Sequence, residues 1–111
     1  MTPECIGNQL FLIPLPRSPE RGDYDWYDIE ERGIQVGKLR CRNGPRVCTV
    51  FSIGIYPEFQ RNGYARAVIS YLKTSHATIV ADRVRFTARD FWMRMGFIEE
   101  ENGDFSWHRP S

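Results

Sequence analysis

Apolar residues along this chain recur in two rhythms, and the change between them falls near its middle. Residues 8–15 (NQLFLIPL) form an apolar run closed by Pro14 and Pro16, which reads as a strand; residues 16–23 carry Pro and Gly with no helical period and read as loop. Residues 24–31 set Tyr24, Trp26 and Ile29 against Asp25 and Asp28, the alternation of a half-buried strand, and Arg32-Gly33 follows as a turn. Residues 34–41 alternate imperfectly around Gly37, and Arg-Asn-Gly-Pro-Arg (42–46) turns the chain into residues 47–56. That last run is almost wholly apolar, the signature of a central strand covered on both faces. Gly54 within it predicts a bulge or a ligand lying against the backbone.

Past Pro57 the period lengthens. From Gly63 to His76, the residues Ala65, Val68, Ile69 and Leu72 fall at helical spacing. Residues 77–81 (ATIVA) read as a short buried strand. Thr87, with Asp90 three residues on, has the form of a capping box and predicts a helix over 88–95 that stops at Gly96. Asn102-Gly103 predicts the turn of a closing hairpin. The order is four strands, a helix, a strand, a helix and two strands. This is an α+β (mixed αβ) fold, with a mostly antiparallel sheet followed by one parallel βαβ crossover. The 111 residues make one domain, 1–111, with 1–23 a short N-terminal strand and loop.

Composition narrows the function classes. No apolar run approaches the roughly 18 residues of a membrane span, and residues 10–15 (LFLIPL) are too short, and too bare of a basic leader, for a signal peptide. Cys5, Cys41 and Cys48 lack metal-ligand spacing; a reducing, cytoplasmic setting and no metal are expected. Cys41 and Cys48 flank the 42–46 turn and read as buried thiols facing each other rather than a disulfide. Charge is segregated. Residues 1–37 carry three Arg against seven acids (net −4), 38–94 eleven basic residues against three acids (net +8), and 95–111 one Arg against four acids (net −3). Thirteen of the fifteen basic residues are Arg, suited to forked contacts with phosphate. A basic middle segment fits an anionic ligand; a solvated face is the plainer alternative. The basic residues are scattered over turns and helices without an aromatic platform, which argues against nucleic acid.

The stretch Ile55-Tyr-Pro-Glu-Phe-Gln-Arg-Asn-Gly-Tyr-Ala65 joins the buried strand to the first helix. Such a junction exposes amides with no partner inside the helix, and with the helix dipole these form an anion site. Gly63 admits a phosphate to the backbone, Ala65 keeps the first turn uncrowded, and Gln60, Arg61, Asn62 and Arg66 can close over phosphate oxygens. The spacing fits neither the Gly-Lys-Ser/Thr loop of nucleotide triphosphatases nor the Gly-x-Gly-x-x-Gly dinucleotide pattern.

The pattern Ile55-x-Pro57-x-x-Gln60-x-x-Gly63-x-Ala65 resembles the pyrophosphate-binding signature of the GNAT superfamily of acyl-CoA N-acyltransferases. Residues Ala88 to Phe97, with Phe91, Trp92 and Gly96, are similar to that family's Ala-x-x-Phe-Tyr-x-x-x-Gly-Phe segment. The resemblance covers about residues 24 to 109. It implies a twisted sheet whose strands at 47–56 and 77–81 are parallel and splay apart. Acetyl-CoA would lie in the splay, with pantetheine on the backbone of Gly54, Ile55 and Tyr56 and against Phe91 and Trp92. Its pyrophosphate would sit on the stretch Gln60, Arg61, Asn62, Gly63, Tyr64, Ala65 and Arg66. The implied activity is acetyl transfer from acetyl-CoA to an amine by direct attack, with no metal.

Two departures from the family pattern matter. The family's proton-donating Tyr is replaced by Trp92, whose indole N–H is far too weak an acid, and the Asn three residues before Ala88 becomes Arg85. Tyr56 and Asp28 are the remaining weak candidates for proton transfer beside Trp92. Asp25, Glu30, Tyr71, Glu58, His76 and His108 have no partner that marks them. A catalytically weak CoA-binding or protein-interaction module is therefore the alternative function. The family's two helices between its first strands are also missing, since only residues 16–23 join them. The acceptor side is expected to be open, completed by a second subunit in a homodimer, or fitted to a macromolecular amine.

Overall fold

The structure, a computed structural model, describes residues 2–111. Strands β1 (Glu4–Gly7), β2 (Leu10–Pro14), β3 (Asp25–Glu31), β4 (Ile34–Asn43) and β5 (Val47–Ile55) run antiparallel in turn. Helix α1 (Tyr64–Ser75) then carries the chain over to β6 (Thr78–Ala81), parallel to β5. Helix α2 (Arg89–Arg94) leads to β7 (Ile98–Glu99) and β8 (Phe105–His108). The eight strands form one sheet in the order β1-β2-β3-β4-β5-β6-β8-β7. The architecture is that expected, with one strand more: β1 is a short edge strand whose polar, mixed residues show no alternation to detect. A bond from the Tyr71 hydroxyl to Glu4 ties it to α1. That bond, with burial, raises the phenol's pKa to about 12.

One face of the sheet holds the core. Cys41, Val50, Ala81 and Phe105 are register neighbours across four strands and are all buried, as are Ile29, Leu39, Cys48 and Ile79. Val68, Ile69 and Leu72 of α1 pack there, as its spacing predicted. Both helices lie on this side. Lys73 of α1 donates to the Met95 carbonyl at the end of α2, and its ammonium stands over the rings of Phe97 and Trp107. The opposite face carries half-buried and exposed side chains, among them Asp28, Gln35, Lys38, Arg40, Ser52 and Val80. The expectation that residues 47–56 are covered on both faces is therefore corrected. The run reads as apolar because a bulge and a partly exposed aromatic interrupt its alternation.

Local signals were met unevenly. Gly96 (φ 89°) ends α2 as read, but Thr87 forms no capping bond; it lies in a 3-10 turn (Phe86–Ala88) ahead of the helix. The bulge in β5 sits at Phe51, which stands between Val50 and Ser52, partners of Cys41 and Arg40, and not at Gly54.

Candidate functional site

The parallel pairing of β5 with β6 extends only from Val47–Thr78 to Val50–Ala81, and Asp82 N–H then closes it on the Val50 carbonyl. The bulge at Phe51 follows at once. Bulges add twist and end pairing, so the two strands part at this point and β5 runs on as an open edge. The orientation of that edge follows from one bond. Tyr56 N–H donates to Val36 O at 2.9 Å, which makes Gly37–Ile55 a non-hydrogen-bonded pair. The amide groups of Ile55, and of Ile53 two residues earlier, therefore face away from β4 into the gap. Those of Gly54 and Tyr56 face β4. Of Gly54, Ile55 and Tyr56, only Ile55 turns its backbone groups to the gap, and Ile53, which the sequence did not single out, does so too. The bulge that settles this leaves no residue-type signature.

The chain leaves β5 through a 3-10 turn (Pro57–Phe59) and reaches α1 by two left-handed residues, Arg61 (φ 68°) and Gly63 (φ 78°). Left-handed geometry at an arginine costs roughly 1–2 kcal/mol. Two side chains expected to grip phosphate are hydrogen-bonded within this loop. Gln60 Nε2 donates to Ile55 O at 3.0 Å, and Asn62 Nδ2 to Phe59 O at 3.0 Å. Arg61 and Arg66 are exposed and form no ion pair among the described residues. Helix α1 has no side-chain cap, its first internal bond is Ala67 N–H to Gly63 O, and a Cβ placed on Gly63 would meet open space. The amides of Tyr64, Ala65 and Arg66 thus have no partner in the helix.

Asp28 and Tyr56, separate weak candidates in the sequence, are linked through Gln35 on the helix-free face. The Gln35 amide nitrogen donates to Asp28 Oδ1 at 3.0 Å and to the Tyr56 hydroxyl oxygen at 2.8 Å. Since Gln35 fills an acceptor site on that oxygen, the phenolic proton stays free to be donated. Gln35 lies in an imperfectly alternating strand, and nothing in its spacing pointed to it.

Trp92 belongs to the core. It is 5% exposed and packs edge-on against Phe97 (4.8 Å between centroids) and half-buried Phe91 (5.2 Å). Cys41 and Cys48 are buried, unbridged neighbours; the hydrogen bond between them and their burial push the Cys41 thiol well up, away from the thiolate a nucleophile needs. His76 is buried with Nδ1 3.1 Å from Leu72 O, and His108 contacts Thr78 Oγ1 at the exposed end of β8. The described residues contain no metal-binding cluster and no helix long and apolar enough to cross a membrane. A concavity near β7 and β8 is walled by Glu100, Glu101 and Asp104, a setting that repels phosphate.

No family model matches the chain, and no curated protein sequence does. Solved structures do match. The Escherichia coli protein YhhK bound to coenzyme A superposes with a TM-score of 0.72 at 9% identity, covering 91% of this chain and 99% of that one. A GNAT-family acetyltransferase from Elizabethkingia anophelis with acetyl-CoA bound gives 0.64 at 12% identity, with 92% and 99% covered. The Bacillus subtilis N-acetyltransferase YlbP in complex with coenzyme A gives 0.63 at 18%, over 75% of this chain and 66% of the other. The chain thus spans nearly the full length of two of these structures and about two-thirds of the third. Identities this low speak to architecture: the chain has the fold of the GNAT superfamily of acetyltransferases.

Proposed function

We propose that this chain binds acetyl-CoA in the gap beside β5 and transfers the acetyl group to an amine. The observation that carries the reading is the continuity of open backbone. The edge formed by Ile53 and the Ile55 N–H runs into a left-handed loop and an uncapped helix N-terminus, within a fold shared with CoA-bound proteins. Peptide-like amides of pantetheine suit the Ile53–Ile55 edge. The pyrophosphate suits the amides from Arg61 to Arg66, where the helix dipole and the side chains of Arg61 and Arg66 add positive charge. The net +8 of residues 38–94 points the same way.

Acetyl-CoA supplies an acyl group already activated as a thioester. A neutral amine forms a bond from nitrogen to the acyl carbon, the carbon–sulfur bond breaks, and one amine proton ends on the departing sulfur. Tyr56, with its proton unclaimed and its oxygen held by Gln35, is the candidate for handling that proton. Asp28 acts through Gln35, as a positioning residue. The raised Cys41 thiol and its burial favour direct attack over an acyl-enzyme.

A second reading, a CoA-binding module without turnover, draws on Trp92, which fills the core where the family's proton donor stands. Calorimetry with acetyl-CoA, followed by thiol release with mixed amines, separates the two; binding without thiol release selects the module. Gly63→Glu should weaken CoA binding by about 100-fold or more, because it puts a charge and a side chain at the phosphate site. Gly63→Asn, which tolerates the left-handed backbone, controls for folding. CoA affinity unchanged in a folded Gly63→Glu protein would refute the loop assignment.

A further inference from the structure

The helix-free face carries a second cluster that the CoA reading does not use. The Arg40 guanidinium stands 4.8 Å from the Tyr24 ring centroid, 5.5 Å from Trp26 and 5.8 Å from Phe51; Arg42 stands 5.5 Å from Tyr24 and 5.4 Å from Phe51. Tyr24 and Phe51 meet edge-to-face at 4.9 Å. The loop before β3 closes one side, where Trp26 Nε1 donates to Arg21 O at 3.0 Å. Among the described residues Arg40 has neither an ion-pair partner nor a side-chain hydrogen bond, and its Nε is buried without one. Its terminal nitrogens are not buried in this way and keep their donors free.

A half-buried cation with no counter-charge is an expensive arrangement that ring contacts offset only in part. Two carboxylates lie nearby in sequence or register, and neither reaches it. Asp25 is taken by Arg17 and the Asn43 amide, and Asp28 by Gln35. The rings fix the guanidinium plane and cover Nε, leaving the end-on pair of nitrogens, whose fork matches a carboxylate. Position gives the cluster its meaning. Phe51 is the bulge residue at which β5 leaves β6, so the cage borders the point where the gap opens. Along the same face Ser52 and Gly54 are exposed, and a Cβ on Gly54 would meet nothing, so β5 raises no bulky side chain next to the cage.

We infer that the Arg40 cage is a carboxylate subsite for the acceptor, which is an amine bearing a carboxylate within a few atoms of its nitrogen. The role as acceptor site rests on the acetyltransferase reading above, and the transfer is the one written there. Electrostatics supports the pairing: Arg40, Arg42 and Lys38 on β4 would repel a purely cationic amine, and a neighbouring carboxylate reverses that. An α-amino acid has this chemistry, and so does a polypeptide beginning with Asp or Glu.

The test uses the full chain without CoA, with phenylalanine, phenylalaninamide and phenethylamine titrated by calorimetry or NMR. Phenylalanine should bind at least about tenfold more tightly than the two compounds lacking the carboxylate. Arg40→Met, which keeps most of the side-chain stem, should erase that difference and leave CoA affinity unchanged. In the wild type, Arg40 side-chain resonances should shift with phenylalanine and stay still with its amide, a readout that needs no variant. C-terminally amidated peptides beginning with Asp or Asn identify the source: preference for Asp over Asn beyond that for free phenylalanine assigns a polypeptide, the reverse a free amino acid. Equal binding of acid and amide overturns the inference, as does a preference that survives Arg40→Met. So does a dimer that Arg40→Met dissociates without any ligand effect, because the cage would then hold a second copy of the chain. CoA binding without an acid–amide difference removes the subsite alone; an Arg40-dependent preference without CoA binding removes the acetyltransferase reading alone.

Discussion

Trp92 shows how a side chain singled out by a motif can also be part of the core. Its place in an Ala-x-x-Phe-Trp segment put it beside the chemistry, yet its ring is wedged between Phe91 and Phe97. Restoring the phenol should therefore harm the protein and not revive it. Trp92→Tyr leaves a void and a buried hydroxyl, and should cost about 1–3 kcal/mol in urea unfolding. Thiol release should not rise; a severalfold rise with stability intact would return this position to the active site. Motif spacing exposes residue types, which is why Gly63 and Ala65 could be proposed for the phosphate loop from the sequence. Gln35 could not, because its importance comes from bridging Asp28 and Tyr56, seven and twenty-one residues away.

At the scale of elements, regular periodicity read well and irregularity did not. Helix α1 was legible because it repeats its apolar residues at one period, and strands β2 to β6 because each is an apolar or alternating run bounded by turn residues. The edge strand β1, the bulge at Phe51 and the 3-10 turn before α2 carry no period, and two of the three decide where the gap opens or how α2 enters. The β4–β5 pair is the element most exposed to a single change. A Cβ on Gly37 would stand 2.2 Å from the Gly54 carbonyl oxygen, which is backbone and cannot swing aside. Gly37→Ala should destabilise the chain by roughly 1–3 kcal/mol in denaturant unfolding and displace β5 at Gly54, weakening CoA as well. An alanine variant of native stability would mean that the two strands lie further apart than this register allows.

For the molecule as a whole, the arrangement of charge says how a phosphate-rich ligand would be drawn in. Eleven of the fourteen acids lie in residues 1–37 and 95–111, and the +8 of residues 38–94 includes Arg61 and Arg66 on the loop and first turn of α1. Net charge over the chain is only +1, so attraction must come from this local field, which salt screens over a Debye length of roughly 10 Å at 0.1 M. Backbone amides of the Ile53–Ile55 edge bind an uncharged chain by short-range bonds and should be nearly indifferent to salt. The two contributions can then be separated by ligand. Raising NaCl from 20 to 200 mM should weaken CoA by about tenfold, most of it in the association rate, while pantetheine, which has no phosphate, changes by less than about twofold. Stopped-flow association and calorimetry on both ligands measure this directly. Equal salt sensitivity for CoA and pantetheine would mean that the basic segment faces something other than the phosphates, leaving the Arg40 cage as its main occupied site.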